Sequence, residues 1–215
     1  MTLVLRIDGF PAAGANLPKL PYQYIAKISD TFTGGDTPDI NGRTTDSGLG
    51  GTPATWVSSP ANSYAISSGK LVRGSASSGT SGAALNVGND AIRMTMAIGA
   101  LPSTNVFFDL RKGTPDGSGS ISSGYRLRVS NTGLVEVHKK PVGSASSVVS
   151  TGSHSISGNS TVGLQVIDNE LTLFINGSAQ ETIIDSSPLT GSYFEIYQGA
   201  SATLSLSSVL FESIG

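Results

Sequence analysis

Two histidines and a scatter of carboxylates are the residues with which this 215-residue chain could do acid–base or metal chemistry. His138 stands in a strand-like stretch beside Lys139 and Lys140, and His154 lies in a serine-rich loop. A zinc centre needs about three or four N, S or O ligands. Nothing near either histidine in sequence completes such a set, so both are expected to be exposed polar positions. Cysteine is absent, which excludes thiolate ligands, a disulfide framework and a cysteine nucleophile. Serine is abundant, but no Gly-x-Ser-x-Gly turn presents one as a nucleophile. Among the acids, Asp168 and Glu170 are two apart but flank a turn signal. Glu136 and Glu195 stand singly, and Asp109 sits between Phe108 and Leu110. Each is expected to be a solvated strand position.

The densest group of oxygen donors is Asp36, Asp39, Asn41 and Asp46, within eleven residues and with Gly42 between them. Calcium takes about six to eight oxygens from carboxylates, amides and carbonyls on a flexible loop, and this segment could supply several. The spacing is not that of an EF-hand, because no glutamate stands at the twelfth position. Asp and Asn also cap turns without metal, by accepting hydrogen bonds from their own backbone. Both readings, a calcium site and turn chemistry, are open at this level. No other cofactor is expected.

The elements that must hold these residues read as β structure. Charged residues make up 13% of the chain, roughly half the usual share, and Ser, Thr and Gly stand in their place. Long exposed helices need charged outer faces, whereas Ser and Thr suit half-exposed strands and turns. In AIRMTMAIGA, Ile92, Met94, Met96 and Ile98 alternate with Arg93, Thr95 and Ala97, one face buried and one wet. Tyr125, Leu127 and Val129 alternate with Arg126 and Arg128 ahead of an Asn131-Thr132-Gly133 turn. Further turns are marked by Asp168-Asn169 and Asn176-Gly177. About a dozen short strands with evenly spaced turns, no convincing helix and no repeat point to a sandwich or barrel. Trp56, Phe107, Phe108, Phe174, Phe194 and Tyr197 fall mostly on these strands and are expected in the core.

The net charge of −2 and the dispersed basic residues offer nothing to nucleic acid. The start, MTLVLRIDGF, is broken by Arg6 and Asp8 and is not a secretory signal. No stretch approaches the ~20 apolar residues of a membrane span, so no membrane contact is expected. Behind a first strand-like run carrying Leu3 and Leu5, Pro11, Pro18 and Pro21 sit among Gly and Ala. Prolines exclude a helix or central strand there. The segment reads either as a surface loop or as an extended arm laid on a partner.

From Asp30 onward the pattern resembles the concanavalin A-like (laminin G-like) jelly-roll domains found in bacteriophage structural proteins. The resemblance rests on Asp30, Phe32, Thr45, Asp46, Gly48 and Trp56, and on the later run GYRLRV, GLVEVHKK, VGLQVIDNELTLFING and a closing strand with Phe211. It implies an all-β antiparallel sandwich over residues 30–215, with residues 1–29 as a docking segment through Leu3, Leu5, Phe10, Pro11, Leu17, Pro18, Leu20, Tyr22 and Tyr24. It further implies a virion protein made in the host cytoplasm, a head decoration, head fibre or tail component. Such a protein contacts other capsid or tail proteins and is expected to be a homo-oligomer. The alternative is an adhesin module recognising a cell-surface glycan. Jelly-roll glycosidases carry paired carboxylates along one strand. No such pair stands here, so the chain is not expected to be an enzyme.

Overall fold

The computed structural model describes residues 24–59, 63–74, 81–88, 91–113, 123–199, 203 and 205–214, with the side chains of residues 24–27, 81 and 112 outside that description. The described residues form two antiparallel sheets and one 3-10 turn at Leu49–Gly51. Of the sandwich or barrel that the turn spacing allows, it is the all-β antiparallel sandwich that the resemblance implies. Among the described residues, no helix is long and apolar enough to cross a membrane.

The strands are β1 (Tyr24–Asp30), β2 (Val57–Ser59), β3 (Tyr64–Ser67), β4 (Lys70–Arg73), β5 (Ser81–Asn86), β6 (Ile92–Ile98), β7 (Val106–Lys112), β8 (Gly124–Val129), β9 (Leu134–Lys140), β10 (Ser147–Val148), β11 (His154–Ser155), β12 (Ser160–Ile167), β13 (Glu170–Ile175), β14 (Ser178–Ile184), β15 (Tyr193–Gln198) and β16 (Ser205–Ile214). The first sheet runs β14-β13-β12-β6-β16-β4-β3, and the second β10-β9-β8-β7-β15-β5-β2. The chain passes between sheets repeatedly, so strands distant in sequence become neighbours. β1 completes the first sheet by pairing with β16 from Asp30↔Val209 to Tyr24↔Ile214. Residues 24–30 therefore belong to the first sheet. Residues 24–29, expected within the docking segment, stand in that ladder. Tyr24 is part of that ladder. The other expected docking residues, Leu3 to Tyr22, lie outside the described residues.

Local chemistry accounts for the strands. β6 alternates as read, with Ile92, Met94, Met96 and Ile98 buried. Its ladders to β12 and β16 place it at the centre of the first sheet. The β13–β14 hairpin turns on Asn176 and Gly177, both at positive φ (50° and 78°), the geometry of a primed two-residue turn. In the second sheet Phe108, Leu110, Tyr125, Leu127, Val135, Val137, Phe194 and Ile196 point into the core. The alternating residues of those strands must then face outward.

A sandwich has strand edges that need cover. On one side the loop 31–56 covers them: Thr37 exchanges backbone hydrogen bonds with Ile66 of β3, and the Ser58 N–H of β2 donates to Asn41 Oδ1. On the opposite side β14 is tied to the second sheet by side chains. Glu181 accepts hydrogen bonds from the Thr151 N–H (2.7 Å) and hydroxyl (2.8 Å) and the Gly152 N–H (3.2 Å), and pairs with His154 Nε2 at 2.8 Å. Asp185 accepts from Lys139 Nζ (2.6 Å) and from the Tyr125 hydroxyl (2.6 Å). Burial raises the Glu181 pKa, but the donors from Thr151, His154 and Gly152 outweigh it and hold the carboxyl at about 2.

This clasp has a pH signature. A carboxyl depressed from the usual 4.5 to about 2 contributes stability that is complete above pH 4.5. That contribution is lost as pH falls toward 2. Urea titrations between pH 7 and pH 3 should show falling stability. Glu181→Gln should cost about 1–3 kcal/mol at pH 7 and flatten the decline between pH 4.5 and 3; an unchanged slope would discount the clasp.

Candidate functional site

The loop that holds the expected oxygen donors is organised around Asp30, whose side chain is wholly buried. Its carboxylate accepts four hydrogen bonds: from Arg43 Nε (3.2 Å) and Nη2 (2.9 Å), the Trp56 indole N–H (2.8 Å) and the Phe32 N–H (2.8 Å). The hydrogen bond to Asp30 is the largest influence holding the Arg43 pKa above its ordinary value. The Trp56 ring packs on Phe32 (centroids 6.2 Å) and edge-on to Phe194 (6.3 Å), which meets Phe211 at 4.8 Å. This chain of rings crosses the core between the sheets. Gly48 completes the loop by close approach, since a Cβ there would fall 1.6 Å from the Thr52 carbonyl oxygen.

Each expected calcium ligand accepts a backbone hydrogen bond. Asp36 Oδ1 accepts from the Ser68 N–H (2.7 Å), Asp39 Oδ1 from the Asn41 N–H (3.0 Å), and Asn41 Oδ1 from the Ser58 N–H (3.1 Å). Asp46 Oδ2 accepts from the Thr31 N–H (2.8 Å) and hydroxyl (2.6 Å), with Arg43 3.5 Å from Oδ1. Burial raises the Asp46 pKa, but Thr31 and then Arg43 outweigh it and leave it lowered. Asp36, Asp39, Asn41 and Arg43 share the lining of an open hollow of about 360 Å³. Among the described residues no three His, Cys, Asp or Glu side chains gather closely enough to hold a metal ion. Asp39 makes a local Asx turn, whereas Asp36, Asn41 and Asp46 accept backbone N–H groups from distant segments and so fix the loop to them.

A different constellation stands on the outer face of the second sheet. Glu195 of β15 pairs with Asp109 of β7, which pairs with Arg126 of β8, which pairs with His138 of β9. The next row joins Tyr197, Phe107, Arg128 and Glu136 in the same strand order. The Phe107 and Tyr197 rings stack at 5.4 Å and 27°. The Arg126 guanidinium lies 4.5 Å over Phe107 and 5.3 Å from the Tyr197 centroid, and it grips Asp109 through two hydrogen bonds of 2.7 and 2.8 Å. Arg128 donates to Glu136 (2.6 Å) and to Asn105 Oδ1 (3.2 Å), and His138 Nε2 lies 3.4 Å from the same Glu136 oxygen. Burial lowers the His138 pKa, and Glu136 offsets only part of that. The aromatic pair, the two arginines, Glu136 and His138 are half-buried, while Asp109 and Glu195 have no exposure.

Several expectations change here. Asp109 and Glu195 are not solvated strand positions: both are fully buried, and Arg126 holds Asp109 through two hydrogen bonds. His138 and His154 are half-buried and hydrogen-bonded rather than exposed. Phe107 and Tyr197 face outward and not into the core. Asp168 does sit at a turn, at φ 49°. The outer-face cluster was missed because its members come from four separate stretches. Its trace in the sequence is the polar or aromatic residue at both outward positions of each strand: Phe107 and Asp109, Arg126 and Arg128, Glu136 and His138, Glu195 and Tyr197.

No protein-family model matches the sequence, and no curated protein is similar to it. Solved structures share the fold at low identity. The carbohydrate-binding module CBM66 from Bacillus subtilis aligns with a TM-score of 0.53 at 16% identity, over 74% of this chain and 92% of that one. Porphyranase B from Zobellia galactanivorans aligns at 0.55 and 12% identity, over 94% of this chain and 97% of its own. The endo-β-1,3-glucanase from Pyrococcus furiosus aligns at 0.54 and 10%, over 90% and 95%. The fold is thus the concanavalin A-like jelly roll, shared with carbohydrate-binding modules and glycoside hydrolases alike. At these identities the likeness establishes the fold and no more.

Removing one member of a buried ion pair costs about 3–5 kcal/mol. Asp30→Ala should therefore lower stability by that amount in urea titration, against less than about 1 kcal/mol for Asp39→Ala at the exposed Asx turn. Chelator or added calcium should leave the melting temperature unchanged. A rise of several degrees with calcium would restore a metal to the loop.

Proposed function

We propose that this domain is a non-catalytic carbohydrate-binding module whose ligand lies on the outer face of the second sheet. The observation that carries the reading is the stacked Phe107–Tyr197 pair, held by the Arg126–Asp109 ion pair. A sugar ring has an apolar C–H face and a rim of hydroxyls. Rings fixed beside charged donors and acceptors offer both kinds of contact without ordering cost on binding. The likeness to CBM66 supports the reading, while the two hydrolases with the same fold mean that the fold alone does not choose. Against catalysis stands the state of the acids. Glycosidases set two carboxyl groups either side of the scissile bond, free to protonate and to attack. Asp109 is held by both arms of Arg126, and neither it nor Glu195 meets solvent.

The setting on a phage particle, as a homo-oligomeric decoration, fibre or tail component docked through its N-terminal segment, is the finer part of this proposal and rests on the sequence resemblance. The strand at Tyr24 defines its test: a deletion of residues 1–23 leaves β1 whole. Loss of particle attachment on that deletion is the expected result, and attachment by the truncated protein would remove the docking role.

On a glycan array the intact protein should bind a defined subset of neutral glycans without cleaving them. Phe107→Ala and Tyr197→Ala should each weaken that binding by about tenfold or more with little change in melting temperature. Silence across a broad array, or release of reducing ends during incubation, would overturn the reading.

A further inference from the structure

Beside the clasp that ties β14 to the second sheet, a pocket of about 250 Å³ enters the sandwich between β8, β9 and the residue after β10 on one side and β13 and β14 on the other. Its walls are apolar, from Val149, Leu171 and Ile183, and polar groups gather where Lys139, Asp185 and Tyr125 meet. Lys139 Nζ donates to Asp185 Oδ1 (2.6 Å) and to the Ser187 carbonyl (2.7 Å). An ammonium has three donors, and the third has no acceptor among the described residues. The Asp185 oxygens are engaged by Lys139, the Ser187 N–H (2.9 Å) and the Tyr125 hydroxyl (2.6 Å), and that hydroxyl accepts from the Leu189 N–H (2.9 Å). The polar cluster is therefore preorganised and has one charged donor to spare.

These features select a ligand chemistry. A carboxylate would lie against Asp185 and a cation against Lys139, so the occupant is neutral. The aliphatic walls call for an apolar group, since hydroxyls pressed on them would lose their partners. The remaining ammonium hydrogen calls for a strong acceptor beside that group. An acetamido group has both, a methyl and an amide carbonyl, and the volume suits one sugar residue. We propose that this pocket is a second glycan site that takes the N-acetyl group of a neutral N-acetylated amino sugar. Its ligand class rests on the carbohydrate reading, but its residues are separate from the Phe107–Tyr197 face.

The test is saturation-transfer NMR on the full chain with N-acetylglucosamine and N-acetylgalactosamine, and with glucose, galactose and glucosamine as comparators. The acetyl methyl should receive the strongest saturation, with a dissociation constant in the millimolar range, on the order of 1–10 mM. Val149→Phe, which fills the pocket, and Lys139→Met, which removes the donor, should each weaken binding at least about tenfold. The Phe107→Ala/Tyr197→Ala protein should keep it, which separates failure of this site from failure of the sheet face. No methyl saturation at about 20 mM sugar, equal binding of glucose, or unchanged binding by folded Val149→Phe would each overturn the proposal.

Discussion

The buried carboxylate of Asp30 is the constraint around which the loop side of the sandwich is built. A charge removed from water is tolerated only when paired and hydrogen-bonded. Asp30 meets that condition with four donors drawn from three places: the next turn of chain, the loop guanidinium of Arg43, and the indole of Trp56. Because β1 ends on this residue and β2 begins just after Trp56, one carboxylate joins the first sheet to the second. Satisfying it draws Trp56 into the core against Phe32 and Phe194, so the aromatic chain follows from the ion pair. Thr45, Asp46 and Gly48 then close the loop over the strand edges. The residues that carried the family resemblance at this end are structural ones.

The opposite side uses the same physics with other residues. Glu181 and Asp185 leave the outer strand of one sheet to accept donors from the other, replacing the loop as an edge closure. The outer face of the second sheet repeats it again in Asp109 and Arg126. In each place several donors fix a carboxylate, which makes it rigid.

Much of the sandwich was legible before any coordinates. Alternation in β6 and β8 identified inward residues, and Asn176-Gly177 marked its turn, because strand periodicity and positive-φ turns depend on residues close in sequence. The acidic loop was legible only as two alternatives. Calcium coordination and Asx turns demand the same side chains, and the choice depends on whether backbone N–H groups lie within reach. Residues 24–29, read as part of the front segment, lie in a ladder with β16, a partner almost two hundred residues away that no local pattern announces.

The sequence by itself determined antiparallel β structure, a sandwich or barrel, without cysteine chemistry, with a proline-rich front segment and a loop rich in oxygen donors. Those properties follow from composition, period and turn type. Tertiary structure decided which side chains meet. It placed Glu195, Asp109, Arg126 and His138 in one row, and brought Lys139 to Asp185 beside an apolar pocket. It also turned Phe107 and Tyr197 outward onto each other. Such meetings are set by strand order and ladder register, long-range quantities that leave no mark on any single segment of the chain.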